Sequence, residues 1–300
     1  MRHNLVLALA AAALCGACGQ AAYAVGMRVS PGGALIQGIE PGQKAELAVP
    51  ITVMNDDAEA KTVVFAAVAP LREKMKVPQG YADIPDLSWV SFTRSEIEVP
   101  AKGHAAVKMV LNIPDGREYH NQHWSVAVAV RTKAVAGQML TLGLYPRFEI
   151  ETSPARVKGG LFRRAKPPAG DLAFAPSLET LEGVAPGGGT RRVALALWNN
   201  TPKLWRGEIR VLTPDEAKQA RIDLSGGWAW LPDPAWVKHA SAAVAIGPNA
   251  SVDLEFDVAV PAGDSRHGNS WEAIALVRGD ESRVAFARLR VRTEPAPTPR

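Results

Sequence analysis

His120-Asn-Gln-His123 sets two imidazoles three residues apart, with Asp115 and Glu118 nearby in the chain. This is the one spacing in the sequence suited to a metal ion. Zinc, however, takes three or four ligands in a defined geometry, and this string supplies two with certainty of type. The second half of the chain keeps the first histidine as His267 and places Ser270 where His123 would stand. A histidine present in both halves points to a structural duty, its ring bonded to a loop carbonyl beside Trp124 or Trp271. His120 and His123 are therefore the metal candidates, against an expectation of no cofactor.

Trp228 and Trp230 lie two apart, on one face of any extended segment. Such a pair could stack on a sugar ring or a partner peptide; packing within the fold is the competing reading. Asn55-Asp56-Asp57 with Glu59 offers oxygens to calcium, but the same run is an ordinary polar hairpin turn. Asn199-Asn-Thr201 and Asn249-Ala-Ser251 match the glycosylation tripeptide, and Gly187-Gly-Gly-Thr190 lacks the lysine of a phosphate loop. The sequence contains neither Gly-x-Ser-x-Gly nor His-Glu-x-x-His, so no catalytic residue is assigned and the expectation is a protein that is not an enzyme.

Both cysteines fall in an N-terminal address segment. Arg2 and His3 precede the apolar run Leu5 to Leu14, and Ala22-Tyr23-Ala24 supplies small residues for cleavage after Ala24. The apolar run is about ten residues, half of what spans a bilayer. Cys15-Gly-Ala-Cys18 lacks the βαβ surroundings of a redox motif. Cys18 follows Gly16 and Ala17 and could carry a lipid, although Cys15 stands where a leucine is usual. Membrane contact is expected only through such a lipid, and the mature fold holds no disulfide. A net charge of +4 spread along 300 residues gives no basic face for nucleic acid.

The elements that would position these groups come in two copies. Gly80-Tyr-Ala-Asp-Ile-Pro-Asp-Leu-Ser-Trp-Val90 reappears as Gly227-Trp-Ala-Trp-Leu-Pro-Asp-Pro-Ala-Trp-Val237, an offset of 147 residues. Pro114, His120, Trp124 and Arg131 meet Pro261, His267, Trp271 and Arg278 at the same offset, while Pro31 meets Pro176 and Asn55 meets Asn199 at slightly smaller ones. Small shifts between matched blocks are what surface loops tolerate. Within each copy apolar residues alternate at period two, as in Leu47, Val49, Ile51 and Val53 or Val193, Leu195 and Leu197. Seven or eight short strands are expected per copy, including Val63 to Val68, Trp89 to Phe92, Glu96 to Val99, Ala105 to Ile113, Trp124 to Arg131 and Met139 to Glu151. Thr213-Pro-Asp-Glu216 reads as a capped helix start, with a lesser counterpart at Pro70 to Lys74. Trp89, Trp124, Trp236 and Trp271 are expected in the cores.

The expected organisation is a signal peptide over 1–24, a first sandwich over 25–154, a basic Gly/Pro linker over 155–170, a second sandwich over 171–294 and a Pro-rich tail over 295–300. The fold class is all-β: two tandem antiparallel immunoglobulin-like sandwiches.

Pro41-Gly42-Gln43-Lys44 with the strand to Val53-Met-Asn-Asp-Asp57, Ser95 to Gly103, and Asn121-Gln-His-Trp-Ser-Val126 resemble PapD-like immunoglobulin domains. Bacterial cell-surface domains that precede WxL wall-binding modules share much of this spacing. The resemblance covers most of each copy. It implies an exported protein, periplasmic or at the cell surface. For the pilus chaperones it also implies exposed edge strands that complete a partner sheet, and a basic pair in the interdomain cleft for a subunit carboxylate. Those chaperones join two unlike domains, whereas this chain repeats one type, and no two positions here match that basic pair. The reading is an envelope binding or scaffold protein recognising a protein or an envelope polymer by strand edges and loops. An assembly chaperone is the alternative.

Overall fold

The computed structural model describes residues 22–24, 26–133, 143–155, 170–279 and 283–296. Residues 1–21 with Cys15 and Cys18, most of the basic linker and the end of the Pro-rich tail lie outside them. Ala22–Ala24 forms a short antiparallel strand beside Met27–Ser30.

Period-two alternation builds the strands. In Ile51–Asn55 every second residue is buried, and Glu96–Val99 turns Ile97 and Val99 inward and two glutamates outward. The first domain stacks two sheets. One runs Met27–Ser30, Ile51–Asn55 and His104–Val107, continued by Met109–Asn112 beside Lys44–Glu46 and Val90–Phe92. The other runs Gly33–Ile39, Arg147–Thr152, His123–Thr132, Lys61–Val68 and Glu96–Val99.

The first strand serves both sheets. Met27–Ser30 pairs antiparallel with Ile51–Asn55; beyond the cis Ser30–Pro31 bond, Gly33–Ile39 pairs in parallel with Arg147–Thr152. Proline has no N–H to give a ladder, which suits it to the crossing point. The second domain repeats the device: Leu172–Ala175, the cis Ala175–Pro176 bond, then Leu178–Val184 parallel to Val284–Thr293. Its sheets run Leu172–Ala175, Arg191–Asn199, Ala250–Val258, Val237–His239 and Leu178–Val184, Val284–Thr293, Ser270–Gly279, Trp205–Val211, Ala243–Ile246. The two halves share one topology, as the duplication requires.

Each domain has its own apolar core. Trp124 meets Trp89 at 5.8 Å and Trp271 meets Trp236 edge-on at 5.4 Å. A buried asparagine ties a hairpin in each copy. Asn55 Nδ2 donates to the carbonyls of Glu59, Val99 and Pro100; Asn199 Nδ2 donates to those of Lys203, Ile246 and Gly247.

The helix Pro214–Ala220 forms behind a complete capping box, Thr213 Oγ1 accepting from Glu216 N–H and Glu216 Oε2 from Thr213 N–H. The counterpart at Pro70 to Lys74 is a correction. It makes turns, with Met75 N–H on the Pro70 carbonyl and Lys74 left-handed at φ 57°, and its first N–H groups, those of Leu71 and Arg72, donate to the distant Asp83 carboxylate rather than to a capping box. The strand expected from Met139 to Glu151 is two pieces, Gly143–Leu144 and Arg147–Thr152, because Pro146 withholds a donor between them; residues 134–142 are outside the described set.

Candidate functional site

The last strand of each domain turns alternate residues out of its own core. In the first, Phe148 and Ile150 point in, leaving Arg147, Glu149 and Glu151 on the outer face. In the second, Ala285, Ala287, Leu289 and Val291 point in, leaving Phe286, Arg288, Arg290 and Arg292 outside. Charged residues on an outer sheet face normally meet water. Here Glu149, Glu151, Glu272 and Arg288 are buried, because the two outer faces cover each other.

Arg288 is at the centre, with no exposed surface. Its Nε lies 2.9 and 3.0 Å from the two oxygens of Glu151, and its Nη2 donates to Glu151 at 2.6 Å. Its Nη1 donates to Glu272 Oε1 at 2.6 Å and to the Asp223 carbonyl at 2.9 Å. Glu151 also accepts from Tyr81 Oη at 2.5 Å and Gln37 Nε2 at 2.6 Å. Glu272 also accepts from Arg290 Nε at 2.8 Å and Ser225 Oγ at 2.6 Å. Two guanidinium groups and two carboxylates thus balance in charge. A buried guanidinium is tolerated on these terms: paired, and with its donors satisfied.

The electrostatics follow from burial. Desolvation, the largest influence, pushes the Glu151 carboxyl up, but the charges of Arg288 and His123 and the hydrogen bonds from Arg288 and Tyr81 together outweigh it and hold the group down at about 2. Desolvation opposes the Arg288 charge while Glu151 and Glu272 favour it, and the group ends well above its ordinary value. Tyr81 is pushed well up, first by burial and then by the Glu151 charge.

Beside the ion network lies an aromatic stack. His123 is parallel to Phe286 at 3.9 Å, and Tyr81 tilts against both at 5.6 and 5.4 Å. Tyr81 thereby joins an apolar cluster of the second domain that includes Leu212, Ala217, Ile274 and Leu276. Desolvation lowers His123 to about 4, so its ring is neutral at neutral pH. Gly80 makes this approach feasible: at φ +80° a Cβ there would lie 2.6 Å from the Phe286 ring. Around the stack an open cleft of about 530 Å³ runs between the domains, bounded by Gln79, Ala82, Asn121, Phe174 and Arg283.

The residues singled out from sequence fall mostly around this junction. His120 Nδ1 is 3.1 Å from the Ser153 carbonyl, and His267 Nδ1 is 3.3 Å from that of Glu294, the loop-carbonyl role in both copies. His123 faces Phe286 instead, and no cluster of three or more His, Cys, Asp or Glu suited to a metal occurs among the described residues. Trp228 lies against the guanidinium groups of Arg290 and Arg292, at 4.8 and 5.0 Å, and Trp230 packs on the apolar cluster around Tyr81. Asp56 is held by Arg28 and Asp57 by Lys61, each an ion pair of a polar turn. Asn199 of the first glycosylation tripeptide is fully buried. Sequence reading missed Glu151, Arg288, Glu272 and Tyr81. A signal existed: acids two apart in Phe148-Glu-Ile-Glu151 and arginines two apart in Arg288-Leu-Arg-Val-Arg292.

No family model matches this chain, and no curated protein does. Among solved structures it is similar to a protein of unknown function from Porphyromonas gingivalis W83, at 13% identity over 89% of this chain and 99% of that one, TM-score 0.32. It is similar to the E. coli chaperone DraB at 13% identity over 88% and 96%, TM-score 0.29. It is also similar to a PapD-like domain of human CEP192 at 14% identity over 49% and 99%, TM-score 0.33. The fold itself, two tandem immunoglobulin-like sandwiches, is read from the strand order and the parallel pairing after each proline crossing.

Proposed function

We propose that this chain is a non-catalytic, exported binding or scaffold protein that presents strand edges and loops to another protein or an envelope polymer. The observation that carries the reading is the buried Arg288–Glu151–Glu272 network, which holds two sandwiches at a fixed angle beside an open cleft. A rigid pair of sandwiches offers a long, preorganised surface, which lowers the ordering cost of binding. The N-terminal segment with Ala22-Tyr23-Ala24 supports export, with either a free chain from Val25 or a lipid at Cys18.

The test is cell fractionation with a photo-crosslinking residue at Ala82, which is exposed at the cleft. The reading predicts a processed chain outside the cytoplasm and a discrete adduct to one partner. A full-length cytoplasmic chain would overturn export, and an exported chain giving no adduct from Ala82 or from other rim positions would overturn the binding role.

A further inference from the structure

The two domains guard equivalent sheet edges in opposite ways. The outermost strand of the first is Glu96–Val99 and of the second Ala243–Ile246, each pairing on one side only. Exposed edges of natural sheets carry charges that prevent pairing with another chain. The first edge does so with exposed Arg94, Glu96 and Glu98, and Glu96 is fastened to Lys133. At the constant offset of 147 these become Ser241, Ala243 and Ala245. From Ala240 to Ala250 no residue is charged, while Ala240, Ser241, Ala242, Ala243 and Ala245 are all exposed.

Ladder alternation says which backbone groups are open. Ile209 N–H donates to the Ala242 carbonyl, and the register puts Gly207 opposite Val244 and Trp205 opposite Ile246. Even-numbered residues therefore bond inward, and the N–H and C=O of Ala243 and Ala245 point out. Ser241 Oγ sits on both groups of Ala243, at 3.3 and 2.9 Å, a local substitute that a second strand would displace.

We infer that this edge pairs with the same edge of a second copy, antiparallel about a two-fold axis at Val244. In that register the outward pairs are Ala243 with Ala245 of the second copy, and the reverse, so both sets of open backbone groups are matched. The neighbouring strand supplies the charge complement. Glu208 lies opposite Ala243 and Arg206 opposite Ala245, both exposed. Each row across the joint then reads Glu208, Ala243, Ala245 and Arg206, with opposite charges flanking two small residues, which let long side chains lean across. The first domain's edge would instead place Glu96 against Glu98, a like-charge repulsion. Only a short edge is buried, which fits a transient association rather than an obligate one. This inference goes beyond the proposed function and does not depend on it.

Sedimentation velocity on the purified protein from about 1 to about 200 µM tests it. The expected result is a mass rising toward twice the monomer's. Ala243→Glu with Ala245→Glu, which restores the first domain's residues, should stay monomeric with an unchanged Tm. Arg206→Glu should weaken association at least tenfold, and Arg206→Glu with Glu208→Arg should restore it. A wild-type protein that remains monomeric throughout, or a double-glutamate variant that associates like wild type, would overturn the proposal; failure of the charge swap to restore pairing would overturn the register.

Discussion

Arg288 and Glu151 sit on the closing strands of two copies of one domain, 2.6 Å apart and out of contact with water. Copy-to-copy equivalence makes the pairing more specific. His123 lies opposite Glu151 as Ser270 lies opposite Arg292, and Ser125 opposite Glu149 as Glu272 opposite Arg290. Hence Glu149 and Glu151 occupy the positions that Arg290 and Arg292 hold in the second copy. At these equivalent positions one face carries acids and its twin carries arginines, and the two faces close on each other.

Removing one partner should therefore be costly. Glu151→Gln leaves Arg288 short of its main counter-charge, which costs about 3–5 kcal/mol for a buried pair. Calorimetry should show the single unfolding transition of wild type splitting in two as the domains uncouple. Replacing Glu151 and Arg288 together by Met should cost less than either single change, because no charge is left stranded.

His123 makes the junction sensitive to mild acid. Its proton affinity is depressed to about 4 in the folded chain against about 6.5 unfolded. Between those values the unfolded chain binds more protons, so stability falls as pH drops from about 6.5 to about 4 and then levels for this group. The loss has an upper bound of about 3 kcal/mol. Urea unfolding at pH 7 and pH 5 should show it in wild type, and His123→Phe, which keeps the stack on Phe286, should remove most of the difference. Glu151 adds its own loss at lower pH, from its ordinary range down to about 2.

Asn55 and Asn199 do the same work in separate domains. Each Nδ2 group serves three carbonyls at 2.7–3.4 Å, and an alanine would leave them without that donor. Asn55→Ala and Asn199→Ala should each cost about 1–3 kcal/mol. Hydrogen exchange should place each loss in the mutated domain.

Gly80 and Gly227 share a φ of +80°, but only Gly80 faces the other domain. Gly227→Ala should cost the backbone term alone, about 1 kcal/mol. Gly80→Ala adds a Cβ against Phe286 and should cost about 1–3 kcal/mol more, read as a difference in urea midpoints.

The fold was legible because period-two alternation and the repeated Gly80-to-Val90 block speak to local structure, where neighbours in sequence decide the outcome. The proline crossings were visible as Pro31 and Pro176 but not as switches between sheets, since partners are set by tertiary pairing. The junction was hidden for a related reason. The offset of 147 that aligns His120 with His267 no longer holds at the last strand, where Glu151 corresponds to Arg292 and the loop between has changed length. Arginines alternating with Leu289 and Val291 read as a solvated face until a second acidic face is brought against them. Spacing alone could not say what Trp228 and Trp230 meet: Trp228 lies against Arg290 and Arg292, and Trp230 packs on the cluster around Tyr81.

The most direct test is a spin-label distance between Ser91→Cys and Ser251→Cys, one exposed site in each domain, with Cys15 and Cys18 changed to serine. If Arg288 and Glu151 lock the sandwiches together, wild type gives one narrow distance distribution and Arg288→Met gives a broad one. A broad distribution in the unmutated junction, or a narrow one that survives loss of Arg288, would contradict the account.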